Sequence, residues 1–364
     1  MADQLEGEEM EKVSYSSYLR LHELLSLQSG QNGNLREISS DELHFIIVHQ
    51  NFELWFKLIL SELRATRNLL SQIPVPEEAI PESVHHLERI TEIFKLMTQQ
   101  WKVMETLTPQ QFLAFREELG TASGFESWQM RELEALMGQS DHSRVNDSPP
   151  SKHFEKMSTV SDEDAKAWKS LENAMGEKSI IEVVSNWLSR TPIQGSKHTS
   201  ENDGIIVNEF VENYLEKMKN NAEKAISKID KNASDYDKIK SRYNQTVNNA
   251  RDFLLPDGIV NRTRAGLLFI ESYRELPLLS WPRKLIDCLV ALEESMVVWR
   301  HNHARMVERI IGRRVGTGGS SGVDYLDMTT KYRVFTDLWG VRTLLLKTED
   351  LPELLVPEYY SFNK

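Results

Sequence analysis

Residues 296–322 read MVVWRHNHARMVERIIGRRVGTGGSSG. At about 100° per residue, Met296, Trp299, Met306, Val307 and Ile310 fall within about 60° of His303, while His301 points to the opposite side. The pattern predicts a long helix that starts at Ser280-Trp281-Pro282, ends at Gly312 and runs into a glycine-rich loop. An imidazole walled by Trp, Met, Val and Ile is costly unless its ring nitrogens find partners. Two readings fit His303: a core histidine bonded to a carbonyl, or an axial ligand to the metal of a flat cofactor.

Working outward, residues 39–70 carry a second long helix. Ser39-Ser40-Asp41-Glu42 reads as a capping box. Apolar residues lie on nearly every side through Leu60, which predicts a central, buried helix. His49 shares its face with Phe45, Phe52 and Phe56, so two helices each hold one histidine inside an apolar-aromatic stripe. Glu53 and Lys57 read as an ordinary i,i+4 surface pair.

The remaining chain is helical in pattern. Residues 14–28 predict one helix, with Tyr15 and Tyr18 at its start; residues 73–83 break the chain, and His85 and His86 on the next helix read as solvated. Thr108-Pro109 opens a short helix carrying Phe112, Phe115 and Arg116 and running into Leu119. Arg116 beside an apolar patch either snorkels or holds a carboxylate in a bidentate fork. Small residues at 120–125 precede an amphipathic helix bearing Arg131. Residues 139–160 are a polar linker or surface loop, and 206–253 read as a projecting antiparallel pair of partly exposed helices. The GTGGSSG loop at 316–322 lacks Walker spacing and follows no strand, leaving a flexible connector or a mobile lid as its readings. With almost no period-two apolar text, the class is all-α: a helical bundle, expected as one domain over 14–345 between a disordered acidic tail (1–13) and an irregular C-terminal tail (346–364).

Composition narrows the function. Of 364 residues, 40% are hydrophobic, enough for a sizeable core, and the net charge is −12. That balance argues against nucleic acid or an anionic membrane surface as partner. No uncharged apolar run is long enough to span a bilayer. The single cysteine, Cys288, forbids an intramolecular disulfide and fits a reducing compartment, so a cytoplasmic location is expected. No CxxCH occurs, and any haem would be held non-covalently.

Several blocks occur together and in order: DELHFIIVHQNFELWFK, FREELGTASGFESWQMRELE, WLSRTP, ESYRELP, WRHNHARMVERIIG and GTGGSSGVDYL. Over residues 14–345 the chain resembles the tryptophan 2,3-dioxygenases, haem enzymes that open the kynurenine pathway. The resemblance implies that His303 is the proximal haem ligand and His49 the distal histidine that contacts the indole N–H. It implies that Arg116 binds the substrate carboxylate and that Thr317 lies near the substrate ammonium. Phe45, Phe112 and Leu119 correspond to the apolar wall of the indole pocket. Tyr15 and Tyr18 correspond to residues that reach a neighbouring subunit's site, Ser123 and Gly124 to the turn at the haem edge, and Arg131 to a propionate partner. A homotetramer, a dimer of dimers, is implied as well. Ser16, Thr121 and Glu126 depart from the family's pattern, the last two beside the turn at the haem edge.

These residue types suit the chemistry. Triplet dioxygen reacts slowly with an indole, and a ferrous haem b with one protein ligand and one open face activates it. An apolar pocket takes the indole, a guanidinium the carboxylate, and hydroxyl or propionate oxygens the ammonium. The expected reaction is cleavage of the indole C2–C3 bond of L-tryptophan with O2, giving N-formyl-L-kynurenine. An alternative is single-oxygen insertion into a substituted tryptophan or indole by an enzyme of the same superfamily. A non-catalytic haem sensor would leave Arg116 and Thr317 without a use.

Overall fold

The computed structural model describes residues 13–30, 37–120, 122–139, 149–316 and 322–361. Two short helices, α1 (Tyr15–Tyr18) and α2 (Leu21–Leu24), precede α3 (Ser40–Leu70) and α4 (Ala79–Met104). Smaller helices follow: α5 (Pro109–Phe115), α6 (Trp128–Met137), α7 (Pro150–Met157), α8 (Asp162–Gly176) and α9 (Ile180–Leu188). Then come α10 (Asp203–Ser227), α11 (Tyr236–Leu254), α12 (Arg262–Ser272), α13 (Ser280–Ile311), α14 (Val323–Thr329) and α15 (Thr336–Gly340). Among the described residues there is no strand, so the expected all-α class is the observed one. No helix among them is long and apolar enough to cross a membrane.

The frame is α3, α4 and α13, and their sequences explain why. Each carries apolar residues at alternating steps of three and four. On α4 the row is Leu87, Ile90, Phe94, Met97, Trp101 and Met104, all buried. On α13 it is Leu285, Leu289, Leu292, Met296, Trp299, Met306 and Ile310, with His303 filling the one remaining step. On α3 it is Phe52, Phe56, Ile59, Leu63 and Leu70, preceded by Phe45 and His49. Such rows make nearly parallel helices interlock along their length. Each fully buried large side chain contributes about 1.5–3 kcal/mol. The turn at 71–78 sends α4 back along α3, and the pairing of Glu62 with His86 fixes that antiparallel register. α13 runs parallel to α4, with Lys284 bridging to Glu88 at 2.6 Å near their N-terminal ends.

Local signals set the ends. The Ser39 hydroxyl accepts the Glu42 amide at 3.1 Å and starts α3. Thr108 and Gln111 cap each other at the start of α5. Gly312, at φ 61°, ends α13 where a Cβ would be strained.

Five expectations need correction. Residues 139–160 are not loop throughout, because α7 lies within them and buries Phe154. α3 is not buried all round: Ile47, Leu54 and Leu58 form an outer apolar stripe exposed by 41, 50 and 36%. Periodicity registers that a face is apolar, not whether this chain covers it. Residues 14–28 are not one helix, because Arg20 takes a left-handed conformation (φ 51°) between α1 and α2. Tyr15, Tyr18, Leu25 and Leu27 there stay largely exposed, and a short helix with no buried face gains little. His86 is not solvated, since its Nδ1 meets the Glu62 carboxylate at 2.5 Å. Nor do Glu53 and Lys57 pair: Glu53 instead accepts from the Gln129 amide at 2.8 Å.

Within 206–253, α10 buries Val207, Phe210, Val211, Tyr214 and Leu215, whereas α11 buries only Ala250 and Leu254. The two run antiparallel, with Arg251 bonded to Glu212 at 2.7 Å. The C-terminal stretch is irregular in backbone yet pinned to the core. Tyr360 is fully buried, its hydroxyl bonded to the Pro192 carbonyl and accepting the Gly195 amide at 2.7 Å.

Candidate functional site

Where the rows of α3, α4 and α13 pass one another they surround a cavity of about 240 Å³. α5, α6, the turn at 123–125 and α14 complete its wall. The lining is mostly apolar and aromatic, with polar groups confined to a few positions, the usual make-up of a small-molecule site.

His303 faces this cavity from α13. Its ring stacks on Trp101 with centroids 4.5 Å apart and planes 3° from parallel, and lies 5.7 Å from Trp299. Among the described residues no hydrogen bond satisfies either ring nitrogen. Burial pushes the imidazole down to about 3, helped by the nearby His49 and Arg131, so it is neutral at ordinary pH. A neutral buried imidazole with no carbonyl to hold it does not fit the plain core-histidine reading. It has the electron pair that a metal requires.

His49 faces the same cavity from α3. Its Nδ1 donates to the Phe45 carbonyl at 2.8 Å, which leaves Nε2 unprotonated. Burial lowers its pKa, against the opposing bond to Phe45. The ring lies 4.0 Å from that of Phe45 and 6.3 Å from that of Phe52. Phe45 and Phe112, 6.0 Å apart, form an apolar corner beside it.

Arg116 sits in the 3-10 turn (Arg116–Leu119) that continues α5 and lines the cavity, half-buried. Its Nη2 donates to the Val315 carbonyl at 2.7 Å and so meets the chain just before the glycine-rich loop. Gly316 and Gly322 also border the cavity. Thr317 lies outside the described residues, as does Thr121. Ser123 and Gly124 line the cavity from a tight turn in which Ser123 and Glu126 cap each other. Glu126 also lies 3.6 Å from His153.

Arg131, on α6, is buried and lines the cavity. One nitrogen donates to Glu134 at 3.0 Å, and its Nε has no partner among the described residues. The other oxygen of Glu134 accepts from Arg300 at 2.6 Å. Two guanidinium groups thus meet one carboxylate in a buried cluster, and Arg131, which lines the cavity, could also bind an anionic group there.

The cavity thus brings together Phe45, His49, Phe112, Arg116, Ser123, Gly124, Arg131 and His303. Leu119 is half-buried and packs against the core without lining the cavity. Tyr15 and Tyr18 are 77 and 78% exposed and lie away from it. Sequence reasoning missed Glu53, Trp101, Glu134 and Arg300, which also line it. Signals existed for two of them. Glu53 is one turn beyond His49, and Arg300 lies about 60° from His303 around α13.

Fold and site define an all-helical protein with two histidines and three arginines converging on an apolar ligand cavity. The chain matches the sequence model of the family described as tryptophan 2,3-dioxygenase over residues 2–345. It is 42% identical to tryptophan 2,3-dioxygenase 2 of Ralstonia nicotianae, covering 97% of this chain and 98% of that protein. It is 40% identical to the tryptophan 2,3-dioxygenase of Sorangium cellulosum (96% and 88%) and 33% identical to that of Dictyostelium discoideum (96% and 88%). The chain belongs to the tryptophan 2,3-dioxygenase family.

Proposed function

We propose that the chain is a haem-dependent dioxygenase that cleaves the C2–C3 bond of the L-tryptophan indole with O2 to give N-formyl-L-kynurenine. That step would open tryptophan catabolism by the kynurenine pathway. The observation that carries this reading is the convergence of His303, with no hydrogen-bond partner among the described residues, and His49 on one apolar cavity that Arg116 also lines.

The residues fit a haem. His303 would hold its iron, Arg131 would pair with a propionate, and Ser123 and Gly124 would pack against it. Bound non-covalently as ferrous haem b, the cofactor would supply the activation of oxygen. The chain's own groups do the rest. The Nδ1 proton of His49 is committed to the Phe45 carbonyl, so Nε2 can only accept. An indole N–H can only donate, and the two fix the ring's orientation against Phe45 and Phe112. Removing that proton beforehand is unnecessary for the expected product, so His49 orients rather than acts as an obligatory base. Arg116 exchanges the Val315 carbonyl for the substrate carboxylate and gains two charge-assisted bonds. The apolar lining excludes water around the reacting ring. The ammonium is assigned by the resemblance to Thr317 and a haem propionate.

A homotetramer is part of the proposal. The stripe of Ile47, Leu54 and Leu58, and the exposed Tyr15, Tyr18, Leu25 and Leu27, are apolar surface that this chain leaves open. Light scattering of the purified protein tests it, and a monomer refutes it. A cytoplasmic site of action fits the lone buried thiol of Cys288.

The decisive experiment counts oxygen. The haem-loaded, reduced protein is given L-tryptophan and labelled O2, and the product is weighed by mass spectrometry. Two label atoms in N-formylkynurenine are expected. A single label atom would point to monooxygenation, and no product would overturn the proposal.

A further inference from the structure

The group that orients Arg131 is itself unusual. Glu134 is 1% exposed and offers one carboxylate oxygen to each of two arginines from different helices. Arg131 is one turn before it on α6, and Arg300 is one turn before His303 on α13. The Arg300 guanidinium also donates to the Thr329 carbonyl at 3.3 Å and lies 5.3 Å from the Tyr332 ring. Arg131 is steadied by Phe125, whose ring centroid is 5.5 Å away, while its Nε proton has no acceptor among the described residues.

A buried carboxylate between two guanidinium groups is poorly suited to mere stabilisation. Desolvation of three charges consumes most of what their attraction returns, and apolar residues of similar volume often do as well. What such a cluster gives is fixed geometry, because each planar guanidinium is locked to a carboxylate edge. Here the two locked groups are the cavity's buried cation and the turn of α13 that carries the candidate axial histidine.

We propose that Glu134 is a positioning residue for haem binding. It holds the Arg131 guanidinium toward the cofactor's anionic edge and, through Arg300, ties that edge to the helix that presents His303. One carboxylate thereby sets the spacing between the two ends of the haem site. This inference rests on the haem reading above.

The test is the rate at which haem leaves the loaded protein for excess apomyoglobin, followed at the Soret band. Glu134→Gln should raise that rate roughly ten- to a hundredfold, the range for groups that orient a ligand from behind it. Arg131→Met should raise it to a similar extent. In Arg131→Met, adding Glu134→Gln should change little, because residues acting through one another are not additive. A carboxylate with only a structural role would instead multiply its effect on that of Arg131→Met. Should Glu134→Gln fail to fold, Glu134→Leu/Arg300→Leu serves in its place. It keeps the triad's net charge while removing both the hold on Arg131 and the tie through Arg300, and it should release haem at least as fast as Arg131→Met. The inference is overturned if the folded Glu134 variants release haem at the unmodified rate, or if the effects of Glu134→Gln and Arg131→Met multiply. If the unmodified protein binds no haem, the cofactor reading itself fails, and that result is distinct from the other two.

Discussion

Replacing Arg116 by methionine should abolish the preference for a substrate with a carboxylate while sparing the indole pocket. In the structure the guanidinium makes one bond to a neutral acceptor, the Val315 carbonyl, at 2.7 Å. Binding tryptophan gives up that bond, about 1 kcal/mol net, and forms two bonds to a carboxylate at about 1.5–3 kcal/mol each. The difference is roughly 2–5 kcal/mol, or about 30- to 5000-fold in kcat/KM. Methionine keeps the side chain's length and apolar stem and removes only the fork. The assay is steady-state turnover of L-tryptophan and of tryptamine, which has the same indole and ammonium but no carboxylate. Tryptophan should lose the full factor and tryptamine almost none, so that their ratio collapses. Equal losses for both, or an undiminished ratio in the variant, would refute the assignment of the carboxylate to Arg116.

Other outcomes follow from the same geometry. His303→Ala should keep its helical circular dichroism but lose haem retention more than tenfold, and an unchanged Soret band would remove His303 as ligand. Gly266→Ala should lower stability by about 1–3 kcal/mol, because a Cβ there would stand 2.2 Å from the Leu188 carbonyl where α12 meets α9. Gly204→Ala, with nothing within 4 Å of its Cβ, should be neutral or slightly stabilising, and thermal melts of the pair check the contrast. Glu182 is held below its ordinary value of 4.5, first by the Ser179 amide and then by the Ser179 hydroxyl. A depressed folded value means that its contribution is full above the unfolded pKa and fades as pH falls through the folded one. The melting advantage of the unmodified protein over Glu182→Gln should therefore shrink between about pH 6 and pH 3; an advantage that grew toward acid would contradict the sign.

How much of this was legible in the sequence depended on what kind of signal each residue leaves. His49 and His303 stand out because each occupies a step in a row that is otherwise Phe, Trp, Met, Leu and Ile, and that row is also what builds the frame. Their partners left weaker traces. Trp101 belongs to an ordinary apolar row, and only the parallel register of α4 and α13 puts it against His303. Glu134 reads as half of an i,i+3 pair with Arg131, whereas its second arginine, Arg300, arrives from a helix 166 residues away. Charge pairing across such a separation has no local pattern. Burial failed for the opposite reason on α3: Ile47 and Leu54 are as apolar as any core residue, but whether a face is covered is decided by what packs there.

The rows on α3 and α13 each give one step to an imidazole, and both steps open onto the same cavity at the middle of the frame. A ligand seated there touches all three long helices at once and binds only the folded chain. Occupancy then adds RT ln(1 + [L]/Kd) to the stability of the whole molecule, about 4 kcal/mol at a thousandfold excess over Kd. The amount of intact protein in a cell should accordingly track the local supply of whatever fills that space, so that abundance as well as turnover answers to the cofactor.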